Sequence, residues 1–157
     1  MKKKKEIVGK KELVLLAVGL AESYLSPTQL QKAVFLLQYR LDPNIIKDGF
    51  YFSPQGYGPS SNEIYEVASS LAETKLLYLI TVASESYSSY LVSPTGVLAT
   101  EKLLKSIGKK NKKYAKSLIA WVESQEFRQL VSAILYEYPE YAVNTIFRSA
   151  LHDKSSK

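Results

Sequence analysis

Tyr78-Leu79-Ile80-Thr81-Val82-Ala83-Ser84-Glu85-Ser86-Tyr87-Ser88-Ser89-Tyr90-Leu91-Val92-Ser93-Pro94-Thr95-Gly96 is the stretch on which the fold turns. Tyr78 to Glu85 and Tyr90 to Ser93 are rich in β-formers, and Ser86 to Ser89 can turn between them, so the segment predicts a β-hairpin. Ser93-Pro94-Thr95-Gly96 then places a capping hydroxyl before a proline at the first helical position, which opens a helix.

The pattern upstream is helical. From Lys10, apolar residues recur at Leu13, Leu16, Ala17, Leu20 and Tyr24. Ser26-Pro27-Thr28-Gln29 combines an N-cap, a proline and a Gln that completes a capping box. Leu30, Ala33, Val34, Leu37 and Leu41 give this second helix its buried stripe, and Asp42-Pro43-Asn44 ends it. Phe50-Tyr51-Phe52 predicts a short strand running into Pro54-Gln55-Gly56-Tyr57-Gly58-Pro59, a sharp loop. Ser60 with Glu63 makes a second capping box, for a third helix carrying Ile64, Val67, Ala68 and Leu71.

Helix, helix, short strand, helix, hairpin, helix is the order of a winged helix-turn-helix. The expected fold class is therefore α+β and mostly helical, with a winged core over residues 10–107. Residues 111–152 read as a helical extension. Ala115, Leu118, Trp121 and Val122 form one stripe, and Phe127, Leu130, Val131 and Ile134 the next. Pro139 starts or kinks a last helix with Ala142, Ile146, Phe147 and Ala150. Residues 1–9 read as a mobile basic tail, and 10–157 as a single domain.

Composition narrows the chemistry. The chain has 157 residues, enough for a core without staples, and its 46% hydrophobic and 23% charged residues are the balance of a globular protein. With no cysteine and one histidine, His152, disulfides, thiolate catalysis, cysteine-bound metals and histidine-rich metal sites are excluded. The apolar run Leu13 to Leu20 is too short for a membrane span and lacks a following cleavage site, so a cytoplasmic protein is expected. No cofactor motif, Walker loop, nucleophile elbow or Rossmann fingerprint is present.

Charge is segregated. The net charge is +6, yet residues 1–11 contribute +5 and residues 101–116 contribute +6, leaving −5 on the remainder. Two basic blocks, Lys2, Lys3, Lys4 and Lys5 in the tail and Lys105, Lys109, Lys110, Lys112, Lys113 and Lys116 later, present a localised field to an anionic partner such as DNA. Such contacts go mainly to phosphates. A lysine-rich surface that only keeps the protein dispersed is the plainer reading.

Four segments resemble the YwgA-like and SocA-like (Panacea) group of small prokaryotic proteins. Leu30-Gln31-Lys32-Ala33-Val34-Phe35-Leu36-Leu37 resembles the group's second-helix motif, and Phe52-Ser53-Pro54-Gln55-Gly56-Tyr57-Gly58-Pro59-Ser60-Ser61 its Tyr-Gly-Pro loop. Tyr90 to Gly96 is similar to its strand-to-helix junction. Tyr136-Glu137-Tyr138-Pro139-Glu140-Tyr141-Ala142-Val143-Asn144 resembles its C-terminal Tyr-Pro-Glu-Tyr motif. The likeness implies a winged-helix-like fold, no catalytic activity, and a role in transcriptional regulation or as the neutralising antitoxin of a toxin–antitoxin pair.

The third helix departs from a DNA-reading helix. It carries Glu63, Glu66 and Glu73 against Lys75, and carboxylates repel phosphate. Three functional readings therefore stand side by side. The first is a non-enzymatic regulator bound to DNA through its lysines. The second is a protein-interaction module, an antitoxin or adaptor, that uses Tyr57, Glu63, Glu66, Tyr138 and Tyr141. The third is a metal-dependent nuclease built on Glu63, Glu66 and Glu73, though Glu63 is expected to cap its helix. Monomer and homodimer are both compatible with these readings.

Overall fold

The computed structural model describes residues 6–142. Lys10–Leu20 forms α1, and every residue from Leu13 to Val18 is buried. A helix apolar on all sides belongs in the middle of a fold. The stripe expected from Leu13, Leu16, Ala17 and Leu20 is too narrow, because Val14, Leu15 and Val18 are covered too. Tyr24 lies beyond the helix and is 41% exposed.

Beside it lies α2, Pro27–Arg40, with an unbroken buried run from Leu30 to Leu37. Its start is capped as the sequence predicts: Ser26 Oγ accepts from the Gln29 N–H at 3.2 Å, and Gln29 Oε1 accepts from the Ser26 N–H at 2.9 Å. α1 and α2 form the central pair. The remaining elements wrap them.

The segment after α2 is held by side chains of that helix. Gln38 Oε1 accepts from the Phe50 N–H at 2.8 Å, and Gln38 Nε2 donates to the Phe50 carbonyl at 3.0 Å. These amide bonds stand in for a neighbouring strand. Phe50–Phe52 is thus not a strand, and its aromatic residues signal burial instead: Phe50 and Phe52 are in the core. Pairing begins three residues later, where β1 (Ser53–Gln55) and β2 (Gly58–Ser60) form a small antiparallel hairpin around Gly56-Tyr57. Gly58 adopts φ +101°, which favours glycine.

α3 spans Glu63–Glu73 from an Asn62 N-cap that makes no side-chain cap bond. The box expected from Ser60 and Glu63 does not form. Gln31 takes the backbone of Ser61 instead, donating to its carbonyl at 2.8 Å and accepting from its N–H at 3.0 Å. A tertiary amide pair has displaced the local cap.

The predicted hairpin is present as β3 (Leu77–Thr81) and β4 (Ser88–Val92), paired from Leu77↔Val92 to Thr81↔Ser88. Ser88 and Ser89 extend β4, so the turn falls earlier than expected. Leu25 pairs with the outer edge of β4, exchanging two 2.9 Å bonds with Tyr90. Among the described residues no strand pairs with the outer edge of β3. α4, Pro94–Ser106, starts as predicted, with Ser93 Oγ accepting from the Gly96 N–H at 2.9 Å.

α5 (Lys109–Ser124) and α6 (Phe127–Glu137) follow, then a 3-10 turn over Pro139–Ala142. α5 packs on α1 and α2, and α6 on α2. One apolar cluster runs from Val8 to Ile134, so the helical extension shares the core of the preceding helices. The positions expected on a last helix beyond Ala142 (Ile146, Phe147 and Ala150) lie outside the described residues. At the other end, the expected tail is anchored from Ile7: both Ile7 and Val8 donate to the Ile45 carbonyl at 2.9 Å, and Val8 is fully buried. The architecture is α+β and mostly helical, with two small antiparallel sheets. No described helix is long and apolar enough to cross a membrane.

One contact is a sharp test of this packing. A Cβ on Gly96 would come within 2.0 Å of the Leu76 carbonyl oxygen, which Ser93 also holds through its backbone N–H at 3.1 Å. Gly96→Ala should lower unfolding free energy by about 1–3 kcal/mol, because backbone must move to admit the methyl. Gly56→Ala meets nothing within 4 Å and should change it by less than about 0.5 kcal/mol. Urea titrations followed by circular dichroism measure both.

Candidate nucleic-acid interface

α5 advances about 100° per residue, so residues three, four and seven apart share a face. Lys109, Lys113 and Lys116 form such a stripe, and all three are exposed. Lys112 flanks it and is half-buried, while Lys110 turns to the other side. The core face is roughly opposite, carrying Ala115, Leu118, Ile119 and Val122. Lys102 and Lys105 are exposed on α4, one turn apart. None of these lysines is in an ion pair among the described residues.

The position of the stripe is fixed by two local features. Gly108, at φ +88°, turns the chain between α4 and α5. Asn111 then fastens the start of α5 to the body: its Oδ1 accepts from the Asp42 N–H at 3.2 Å, and its Nδ2 donates to the Ile107 carbonyl at 3.0 Å. The lysines therefore ride on a rigid element. Lys2, Lys3, Lys4 and Lys5 lie outside the described residues.

A second stripe runs beside the first. Lys110, Tyr114, Ser117 and Trp121 are spaced by four, three and four residues along α5. Tyr114 is 39% and Trp121 37% exposed, so Trp121 is not the core residue its spacing suggests. With Leu36, Arg40, Ile134 and Glu137, the two rings line a cleft of about 210 Å³. Arg40 forms an ion pair with Glu137, and its Nε donates to the Tyr138 hydroxyl at 3.3 Å. Partial burial works against the charge of Arg40. Hydrogen bonds to Tyr138 and Tyr114, together with Glu137, outweigh that and hold the guanidinium charged.

The residues expected to meet a protein partner scatter. Tyr57, in the small hairpin, is 44% exposed, with its ring edge-to-face on Phe127 at 5.1 Å. Tyr138 and Tyr141 are half-buried, packed on Phe35 at 4.9 and 5.2 Å; they brace the core and are not an open surface. Burial, and then a hydrogen bond to Tyr39, pushes the Tyr141 hydroxyl pKa up. Glu63 does not cap α3. It pairs with Lys10 at 3.0 Å. Glu63, Glu66 and Glu73 all line a groove of about 710 Å³ with Lys10, Lys11 and Lys47 across from them. Among the described residues no three acidic or histidine side chains converge as metal ligands.

Sequence reasoning alone misses Lys32. It is 2% exposed, and its Nζ donates to the Pro59 carbonyl at 2.9 Å. Burial lowers its pKa to about 7. Its signal is the Gln31-Lys32 pair followed by a Gly-Pro loop, since an ammonium over Gly58 and Pro59 requires that loop to close on α2. The unfolded chain binds this proton up to about pH 10.4, whereas the folded chain releases it near 7. The unfolded state thus holds more protons in between, and stability should rise as pH climbs from about 7 toward 9.5. Lys32→Met should flatten that rise, as measured by urea titrations across the range.

No family model matches this chain, and no curated protein matches it.

Proposed function

We propose that this protein is a non-enzymatic regulatory protein that binds nucleic acid through the lysine face of α4 and α5. The observation that carries this reading is the exposed stripe Lys109, Lys113 and Lys116 along the first half of α5, without carboxylate partners among the described residues. Lys109, in the first turn, sits unfavourably at the positive end of the helix dipole, and an anion laid there relieves it. Phosphate supplies that anion at regular spacing.

A winged-helix assignment is consistent with the order of α1, α2, α3, the β3–β4 hairpin and α4, and with the resemblance to the YwgA-like and SocA-like group. In that assignment α3 would occupy the recognition position. Its exposed Glu66 and Glu73 argue against entry into a major groove, which leaves the phosphate-binding role to α5. Regulation in the cytoplasm, by occupancy of DNA rather than by chemistry on it, is the function this favours.

A second reading rests on a different surface. The acidic groove along α3, with Glu66 and Glu73 on its wall, suits a basic segment of a protein partner, as an antitoxin or adaptor would use. A nuclease reading loses its first ligand, since Glu63 is engaged by Lys10.

Replacing Lys109, Lys113 and Lys116 together by Ala should weaken binding to duplex DNA by about tenfold or more at low salt. It should also reduce the slope of log affinity against log salt by up to about 0.9 for each phosphate no longer neutralised. Anisotropy titrations of a labelled oligonucleotide over a salt series measure both. Unchanged affinity and slope would remove α5 from the interface.

A further inference from the structure

We infer that the α5 surface prefers single-stranded to duplex nucleic acid, with the strand's backbone on the lysine stripe and unpaired bases stacked on Tyr114 and Trp121. This rests on the nucleic-acid reading above and adds the class of strand. The two stripes are neighbours on one helix: Lys109, Lys113 and Lys116 on one line, Lys110, Tyr114, Ser117 and Trp121 on the next. A strand laid along α5 can therefore keep phosphates over ammonium groups while turning its bases to one side.

On that side the rings are available. Tyr114 and Trp121 are 39% and 37% exposed and lie two turns apart. That separation is about 10 Å along the axis, room for more than one stacked base. What sets these two rings apart is placement rather than exposure: they share one line of one helix beside a charged stripe, where a strand bound by its phosphates can lay flat, apolar bases on both. The Arg40–Glu137 pair also lines the cleft and offers both donors and acceptors to base edges. In a duplex the base faces are already stacked, and a ring reaches them only after unpairing. Lysines alone bind either form; the aromatic stripe rewards only the open one.

Trp121 is the only tryptophan, so intrinsic fluorescence reports on this cleft directly. Titrating the full chain with oligothymidylate of about 20 nucleotides, a length spanning a typical single-strand site, should quench it in step with binding. A duplex of equal length should bind with little quenching. In anisotropy titrations, Tyr114→Ala with Trp121→Ala should cost about 10- to 100-fold in single-strand affinity and less than about threefold for duplex. Trp121→Phe keeps a ring and should bind the single strand within about threefold of the parent, which separates stacking from loss of fold.

Several outcomes overturn the inference. One is duplex binding with no preference for the single strand; another is an equal drop in affinity for both strand forms in the double variant. In either case the lysine interface stands. If neither strand form binds the parent protein, the nucleic-acid reading falls with it.

Discussion

Everything around α2 depends on polar side chains of that helix, Gln31 and Lys32 buried and Gln38 half-buried. Gln31 and Gln38, two turns apart, each present an amide that satisfies one backbone N–H and one carbonyl, at Ser61 and Phe50. Lys32 adds the Pro59 carbonyl between them. Leaving such groups unpaired in the interior costs on the order of 1–3 kcal/mol each, so segment and helix hold one another to a single arrangement. The β1–β2 hairpin, with Pro54 opposite Pro59, has few ladder bonds of its own and borrows its order from α2. That arrangement sets the entry to α3 and, through Gly58 against Leu135, the seat of α6.

The polar row also governs what the surface can do. Because the middle stretches of α1 and α2 are covered on every side, α5 has its inner face committed to them and only its outer arc to offer. Lysines fill part of that arc, and the rest falls to two rings at the seam with α6. Part of the acidic charge lies elsewhere, in the α3 groove. α5 itself carries five lysines against Glu123, so carboxylates of its own helix cancel little of its basic field.

Local signals are legible in the sequence and tertiary ones are not. Ser26 with Gln29, and Ser93 before Pro94, act within one turn of their own chain, and both caps form. The same reasoning fails at Ser60, because the competitor is Gln31, 30 positions away along the chain in its bond to Ser61. Trp121 follows Leu118 by three and so reads as core, yet on a helix it sits about 100° from Val122, at the edge of the buried arc. Lys32 gives no local sign of burial: the apolar period of α2 describes one covered face, whereas β2 and α6 cover more. Tyr138 and Tyr141 show their type but not their direction, which Phe35 decides.

Among the described residues the outer edge of β3 is unpaired, and this has a consequence for the protein in solution. Leu76 to Ser84 is a run of nine residues without charge or proline, and Leu79 within it is 48% exposed. Such an edge is a template on which a second copy can add a strand. A like net charge of +6 on each copy, carried largely by the lysine blocks, opposes that approach. Electrolyte shortens the reach of that repulsion to about 8 Å near physiological strength. Colloidal stability and the proposed affinity for polyanions would thus share one ionic control. Salt that screens the lysines would let β3 edges approach, and a polyanion that neutralised them would do the same.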